Sequence, residues 1–281
     1  MRPGPSWGKK DKHRDPDDPD DALQGSYWDH VIIDPETKLI VSLVVGRRDA
    51  DTVVRLFTDF YGRTDGYLPE LICTDEHAVY QTVILDAYGV LRSELELTEE
   101  QDAEFSPGGF FFPQEVTYAT VHKEKEGGRV VEVSQRLVLG SSERLERTLE
   151  ESGQSESVNT SFVERCHGTQ RHFNARKKRK AYTFSKELGF HEAAVWLVVL
   201  WYNFGWCVRT LREKVQEDPP RYHQRTPAMA AGLADHAWTV AELLCYPLYP
   251  PVDPGPKPPP RTYQDVLERL KGVIDAGDAP R

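Results

Sequence analysis

The sequence predicts an α/β fold, a mixed sheet flanked by helices, and two observations carry that prediction. Strand-like segments come early and helical segments late, in the order hairpin, helix, strand, helix, hairpin, long helices. Apolar residues make up 39% of the 281, enough for a packed core. No run of 18 apolar residues exists, so no membrane span is expected. Nor does an apolar signal-peptide core follow Met1.

Each element has its own signal. Residues 1–24 are rich in Pro, Asp, Lys and Gly and are expected to form a loop or disordered segment. The β-branched stretches Tyr27 to Ile33 and Leu39 to Val45 flank Asp34-Pro35-Glu36-Thr37, which predicts a hairpin. Asp49 to Tyr61 places Val53, Val54, Phe57 and Phe60 or Tyr61 on one side of a helix. Pro69 precedes a short strand, Leu71 to Thr74, which ends in Asp75-Glu76, and a helix follows from Ala78 to Tyr88. Residues 92–157 are predicted to be an insertion. It opens with an acidic, then Gly- and Phe-rich loop at 92–114 and continues as a second hairpin, Val116 to Lys123 and Arg129 to Leu139, turning at Gly127-Gly128. A short helix and linker are expected in Arg144 to Ser155.

Helices dominate the rest. Asn159-Thr160 is positioned to cap a helix from Ser161 to Lys180, and Ser185 to cap another from Lys186 to about Lys214, whose apolar content demands burial. Thr226-Pro227 starts a short helix, because proline is pre-organised for the first helical position. Eight prolines in residues 247–261 make an extended linker, and Tyr263 to Ile274 is an amphipathic tail helix. The main domain is therefore expected to span residues 25–245, with residues 246–281 as linker and tail.

A net charge of −10 argues against nucleic acid, yet the distribution matters more than the sum. Acids concentrate in Asp11 to Asp21 and Glu94 to Glu104, bases in Arg171 to Lys180, and a local basic stripe can hold phosphates. The four cysteines lie far apart with no Cys-x-x-Cys, which predicts neither a zinc module nor a disulfide scaffold, but a reduced, cytoplasmic protein.

Three features carry candidate chemistry. Asp75 ends a short strand, where ligand sites lie in open α/β folds, although an exposed turn or cap is the commoner reason for a lone aspartate there. Glu164 opens a helix on which residues 164, 167, 168, 171, 175 and 178 share a face: Glu, His, Gly, Arg, Ala and Lys. That face suits a helix lying against DNA, and a solvated charged face explains the same pattern. The run Arg176-Lys177-Lys178-Arg179-Lys180, followed by Tyr182 and Phe184, is a phosphate clamp with stacking partners, a localisation signal or a solvated helix end.

In order along the chain these motifs resemble the insertion-sequence DDE transposases. Ile72-Cys73-Thr74-Asp75-Glu76-His77 is similar to the strand that carries that family's second acid. Asn159 to Thr169, with Val163-Glu164-Arg165, resembles its third-acid helix. Trp201-Tyr202-Asn203-Phe204 is similar to its Tyr-Asn-Phe helix, and Arg225-Thr226-Pro227-Ala228 to its C-terminal Thr-Pro-Ala motif. The hairpin ending at Gly46-Arg47-Arg48-Asp49 fits its second and third strands. Together these cover roughly residues 25–245.

The resemblance implies a ribonuclease H-like fold that cuts and joins DNA with two Mg²⁺ (or Mn²⁺) ions held by three carboxylates. It makes Asp75 and Glu164 the catalytic, metal-binding second and third acids, meeting at one site. It makes Arg171, Arg176, Lys177, Lys178, Arg179 and Lys180 the DNA-binding bases, with transposon ends and target DNA as partners, and it is compatible with a homo-oligomer. The family's first Asp precedes a Lys-rich strand end, to which Trp7-Gly8-Lys9-Lys10 is similar, and counting back places it at or before Met1. The sequence therefore predicts an incomplete or inactive copy; the competing explanation, an internal acid such as Asp29 or Asp34 as substitute, is disfavoured because both lie on the expected second strand, and a non-catalytic DNA-binding protein that keeps the fold is the alternative function.

Overall fold

The computed structural model describes residues 6–7, 25–88, 90–91, 110–111, 116–127, 129–177, 185 and 187–246. The expected N-terminal segment, acidic loop, Pro-rich linker and tail helix fall wholly or mostly outside these residues. The protein is mixed α/β, with sheets flanked by helices. It divides into two compact units, Met1–Leu56 with Ser161–Pro251 and Phe57–Thr160 with Val252–Arg281.

The first unit is built on the antiparallel hairpin β1 (Trp28–Ile33) and β2 (Ile40–Gly46), in register from Trp28 opposite Gly46 to Ile32 opposite Ser42, with a one-residue shift before Ile33 pairs with Ile40. Asp34 shapes the turn: its two carboxylate oxygens accept the backbone N–H groups of Glu36 and Thr37, both at 3.1 Å. Lys38 takes the left-handed conformation that closes the loop (φ 61°). Nearly all of β2 is buried, which is why its sequence reads as a continuous apolar run instead of an alternation.

Helix α1 (Ala50–Arg63) follows, and the boundary between the units falls inside it. Within the first unit, Tyr27, Ile40, Leu43 and Val45 of the hairpin region pack with Cys166, Val195, Val199 and Tyr202. Burying each large member contributes roughly 1.5–3 kcal/mol, so Leu43→Ala is expected to cost about 2–5 kcal/mol.

Helix α5 of this core is shorter than the sequence predicts. It spans Leu188–Leu200, then widens into a π-turn, Trp201–Gly205, in which the Trp206 N–H reaches the Trp201 carbonyl at 2.9 Å. Gly205 permits this: a Cβ there would lie 2.3 Å from the Trp201 ring. Beyond it, Glu213–Gln216 (β6) and Arg221–His223 (β7) form a small hairpin where a helix was expected as far as Lys214. Two short helices close the unit. In α6 (Pro227–Ala230) the Thr226 hydroxyl accepts the Met229 N–H, as its Thr-Pro start predicts. In α7 (Val240–Cys245) Thr239 and Glu242 form a reciprocal capping box.

No membrane span was expected, yet Leu188–Leu211 is long and apolar enough to cross a membrane by length and composition. Its His191, Val195, Val199, Tyr202 and Asn203 are buried within the first unit, while Phe190, Leu197 and Leu200 of the same segment are exposed.

The second unit holds a three-stranded sheet in the order β3 (Leu71–Asp75), β4 (Thr117–Glu126), β5 (Arg129–Leu139). Strand β4 runs parallel to β3, pairing Leu71 with Thr117 and Asp75 with Val121, and antiparallel to β5. The segment expected to be an inserted hairpin thus supplies the central strand. Periodicity identifies a strand, and only tertiary pairing says which sheet it joins. Helices α2 (Ala78–Tyr88) and α3 (Ser142–Glu151) complete the unit. Ala119, Val121 and Val158 are buried with Leu71, Cys73, Leu145 and Leu149 packed against them. Tyr88 closes on Phe57 (6.2 Å, edge-on) and Tyr61 (5.3 Å), tying α2 to the end of α1.

Candidate functional site

Asp75 stands at the carboxyl end of β3, half-buried, beside Val121 of the parallel strand β4. The same edge carries a side-chain hydrogen bond between Glu76 and the His122 ring, and a 2.7 Å hydrogen bond between the Thr74 hydroxyl and the Tyr118 hydroxyl. These partners lie 46 and 44 residues apart in sequence, so no local pattern revealed them. The parallel register brings polar side chains of both strands to one sheet end, the place where such folds hold ligands.

Glu164 lies in the first turn of α4 (Ser161–Phe173), a favourable place for a carboxylate against the helix dipole. The helix turns Cys166 and Gln170 inward. Glu164 and Arg171 are exposed, with Gly168 between them at helical spacing. A Cβ added at Gly168 would meet nothing within 4 Å, so the bare backbone faces open space. This is the face the sequence picks out.

The helix does not continue to Lys180 as expected. It ends at Phe173, because the Asn174 side chain accepts the Arg176 N–H at 3.0 Å and diverts the backbone into a 3₁₀ turn, Ala175–Lys177. Arg176 donates from Nη1 to the buried Ser185 hydroxyl at 3.1 Å, so Ser185 anchors this turn instead of capping α5. Glu187 takes the capping position without a side-chain bond. Lys178, Arg179 and Lys180 lie outside the described residues.

Lys177 departs most from its expected role as a displayed phosphate contact. Its side chain is 7% exposed and forms an ion pair with Asp29 of β1, while its ammonium also donates to Gln170 Oε1. His191 of α5 reaches the other Asp29 oxygen from Nε2 at 3.1 Å. Burial alone would raise the Asp29 pKa. The His191 hydrogen bond and the Lys177 charge outweigh it and hold the carboxylate well below its ordinary range. Burial, followed by the Lys177 charge, pushes the neighbouring His167 down to about 4, so it is neutral at pH 7. The cluster joins a strand, a helix and a turn, with 162 residues separating Asp29 from His191.

Both internal candidates for a first acid are thereby committed, Asp29 to Lys177 and His191, Asp34 to the hairpin turn. Asp75 belongs to the second unit and Glu164 to the first. Among the described residues no three His, Cys, Asp or Glu side chains gather in a group that could hold a metal ion. A two-ion site with three carboxylates therefore has no complete donor set among these residues.

Neither known family models, nor curated proteins, nor solved structures match the chain.

Proposed function

We propose that the chain is a DNA-handling domain of the insertion-sequence DDE transposase type, with a ribonuclease H-like fold. Asp75 and Glu164 supply two of its carboxylates, and Mg²⁺ or Mn²⁺ is the ion class they suit, since both are hard oxygen donors. The observation that carries the reading is Asp75 at the carboxyl end of β3, which follows a hairpin and a helix along the chain and lies beside a parallel strand. The outer face of α4 supports it: a carboxylate, a bare glycine and Arg171 face outward. Such a face can lie close to a phosphate backbone, positioned by its arginine. Arg176 at the following turn extends the basic surface.

A second reading, a DNA-binding protein that keeps the fold without catalysis, is favoured by the commitment of Asp29 and Asp34 to structural bonds.

The deciding experiment is a Mn²⁺ titration followed by electron paramagnetic resonance, paired with DNA anisotropy across a salt series. One shared site predicts that Asp75→Asn and Glu164→Gln each abolish the same bound ion and that the double variant loses nothing more. Two independent losses would sink the site. Arg171→Ala is expected to flatten the salt dependence of DNA binding by roughly one unit for the phosphate contact removed. An unchanged slope would put the DNA surface elsewhere. A strand-transfer assay with pre-cleaved ends separates the two readings: joined product supports the first, and binding without joining the second.

A further inference from the structure

Among the described strands β5 has one neighbour, β4. Residues 129–136 are all exposed. Val130, Val131 and Val133 are each half exposed or more (50%, 56% and 55%), an unusual load of β-branched side chains for a solvated strand. Proteins ordinarily protect such an edge with charge, proline or bulges, because its open N–H and C=O groups template another strand. Here register shifts at Glu124/Lys125 and Tyr118/Ala119 make Val131 and Val138 the extra residues. Between them Glu132 to Leu137 pairs in unbroken register and contains no proline.

Within the hairpin this segment is electrostatically frustrated. Glu132 stands directly opposite Glu124 of β4, and like charges facing each other across an antiparallel pair are destabilising. Arg136, four residues on, faces Thr120 and not an acid. We propose that β5 pairs antiparallel with β5 of a second copy of this chain, about a two-fold axis through Ser134. In that register Glu132 faces Arg136 of the other copy, twice by symmetry, and Val133 faces Gln135. At its ends Val131 meets Leu137. The pairing sets an arginine across from each Glu132, where its own hairpin sets Glu124, and extends the sheet from three strands to six across the two copies. Registers centred elsewhere lose this match: centring on Glu132 sets the acids against each other, and pairing Glu132 with Arg129 leaves only a four-residue overlap.

The test is sedimentation equilibrium of the full chain with charge variants and cysteine cross-linking. Glu132→Lys relieves the clash with Glu124, so folding is not harmed, yet it sets lysine against arginine across the axis. It is expected to weaken the dimer by at least about tenfold. The double charge swap E132K/R136E is expected to restore it. In a Cys245→Ser background, which removes the exposed native thiol, Ser134→Cys should form a disulfide-linked dimer on mild oxidation. Facing residues in an antiparallel pair have Cα atoms about 4.5–5.5 Å apart, within the range a disulfide spans. Glu132→Cys should not, because its symmetry mate lies four residues along, about 13 Å away. A chain that stays monomeric at all concentrations, cross-linking at 132 as efficient as at 134, or a charge swap that fails to rescue would each overturn the proposal.

Discussion

Replacing Asp29 with asparagine removes the one negative charge from a buried cluster, and the size of the effect follows from its surroundings. The side chains involved are almost completely enclosed: Asp29 is 10% exposed, Lys177 7% and His191 1%. In Asp29→Asn the new amide oxygen can still accept from His191, so that hydrogen bond survives in weakened form. What disappears is the counter-charge of the Lys177 ammonium, which among the described residues keeps Gln170 as a polar partner. Breaking one side of a buried ion pair costs about 3–5 kcal/mol. The retained bonds place Asp29→Asn toward the lower end, a large fraction of the roughly 5–15 kcal/mol that stabilises a typical domain. Lys177→Met alone should cost a similar amount by stranding Asp29. The double variant buries no unpaired charge, so its loss should fall short of the sum by at least about 2 kcal/mol.

The pH dependence has a definite sign. The folded pKa of Asp29 is depressed, so its contribution is full above the unfolded value near 3.9 and is lost as pH falls below it. Urea denaturation at pH 7 and pH 3, followed by far-ultraviolet circular dichroism, measures both effects. A loss under about 1 kcal/mol at pH 7, or strict additivity in the double variant, would refute the argument.

Other substitutions test other links. Asn203 binds both the N–H and the carbonyl of Ile40, at 3.0 and 2.9 Å, so Asn203→Ala should cost about 2–4 kcal/mol in chemical denaturation by orphaning two buried backbone groups. His167, held neutral with its pKa near 4, should make the chain lose stability as pH falls from about 6.5 toward 4, by at most about 3 kcal/mol. A His167→Gln variant should show a flat profile in that window, and an unchanged slope would assign the loss to other groups. Gly168→Ala adds a methyl where nothing lies within 4 Å, so it should raise stability by about 0.5–1 kcal/mol through helix propensity. On the proposed reading it should also weaken DNA binding, by holding the helix away from the phosphates.

Local pattern was sufficient for several elements, because neighbouring residues alone decide them. The β1–β2 hairpin follows from two β-branched runs around Asp34-Pro35, α2 from its apolar run, and the start of α6 from Thr226-Pro227. The capping box that opens α7, Thr239-x-x-Glu242, is a local signal too, although no helix is predicted there from the sequence. For the candidate site, the sequence determined that Asp75 ends a strand and that Glu164, Gly168 and Arg171 share a helix face.

Tertiary structure decided what distance in sequence conceals. Hydrophobic patterning made Thr117–Glu126 a strand but could not tell an inserted hairpin from the centre of a sheet, since that depends on which partner supplies its hydrogen bonds. The basic run looked uniform from Arg176 to Lys180, yet Asn174 ends the helix and swings Lys177 inward to Asp29. A lysine's role depends on whether a carboxylate far earlier in the chain is brought within reach of it, and only the packing of β1, α4 and α5 brings it there. Periodicity reports which way a side chain points along its own element; the dielectric and the partners it meets are properties of the folded interior.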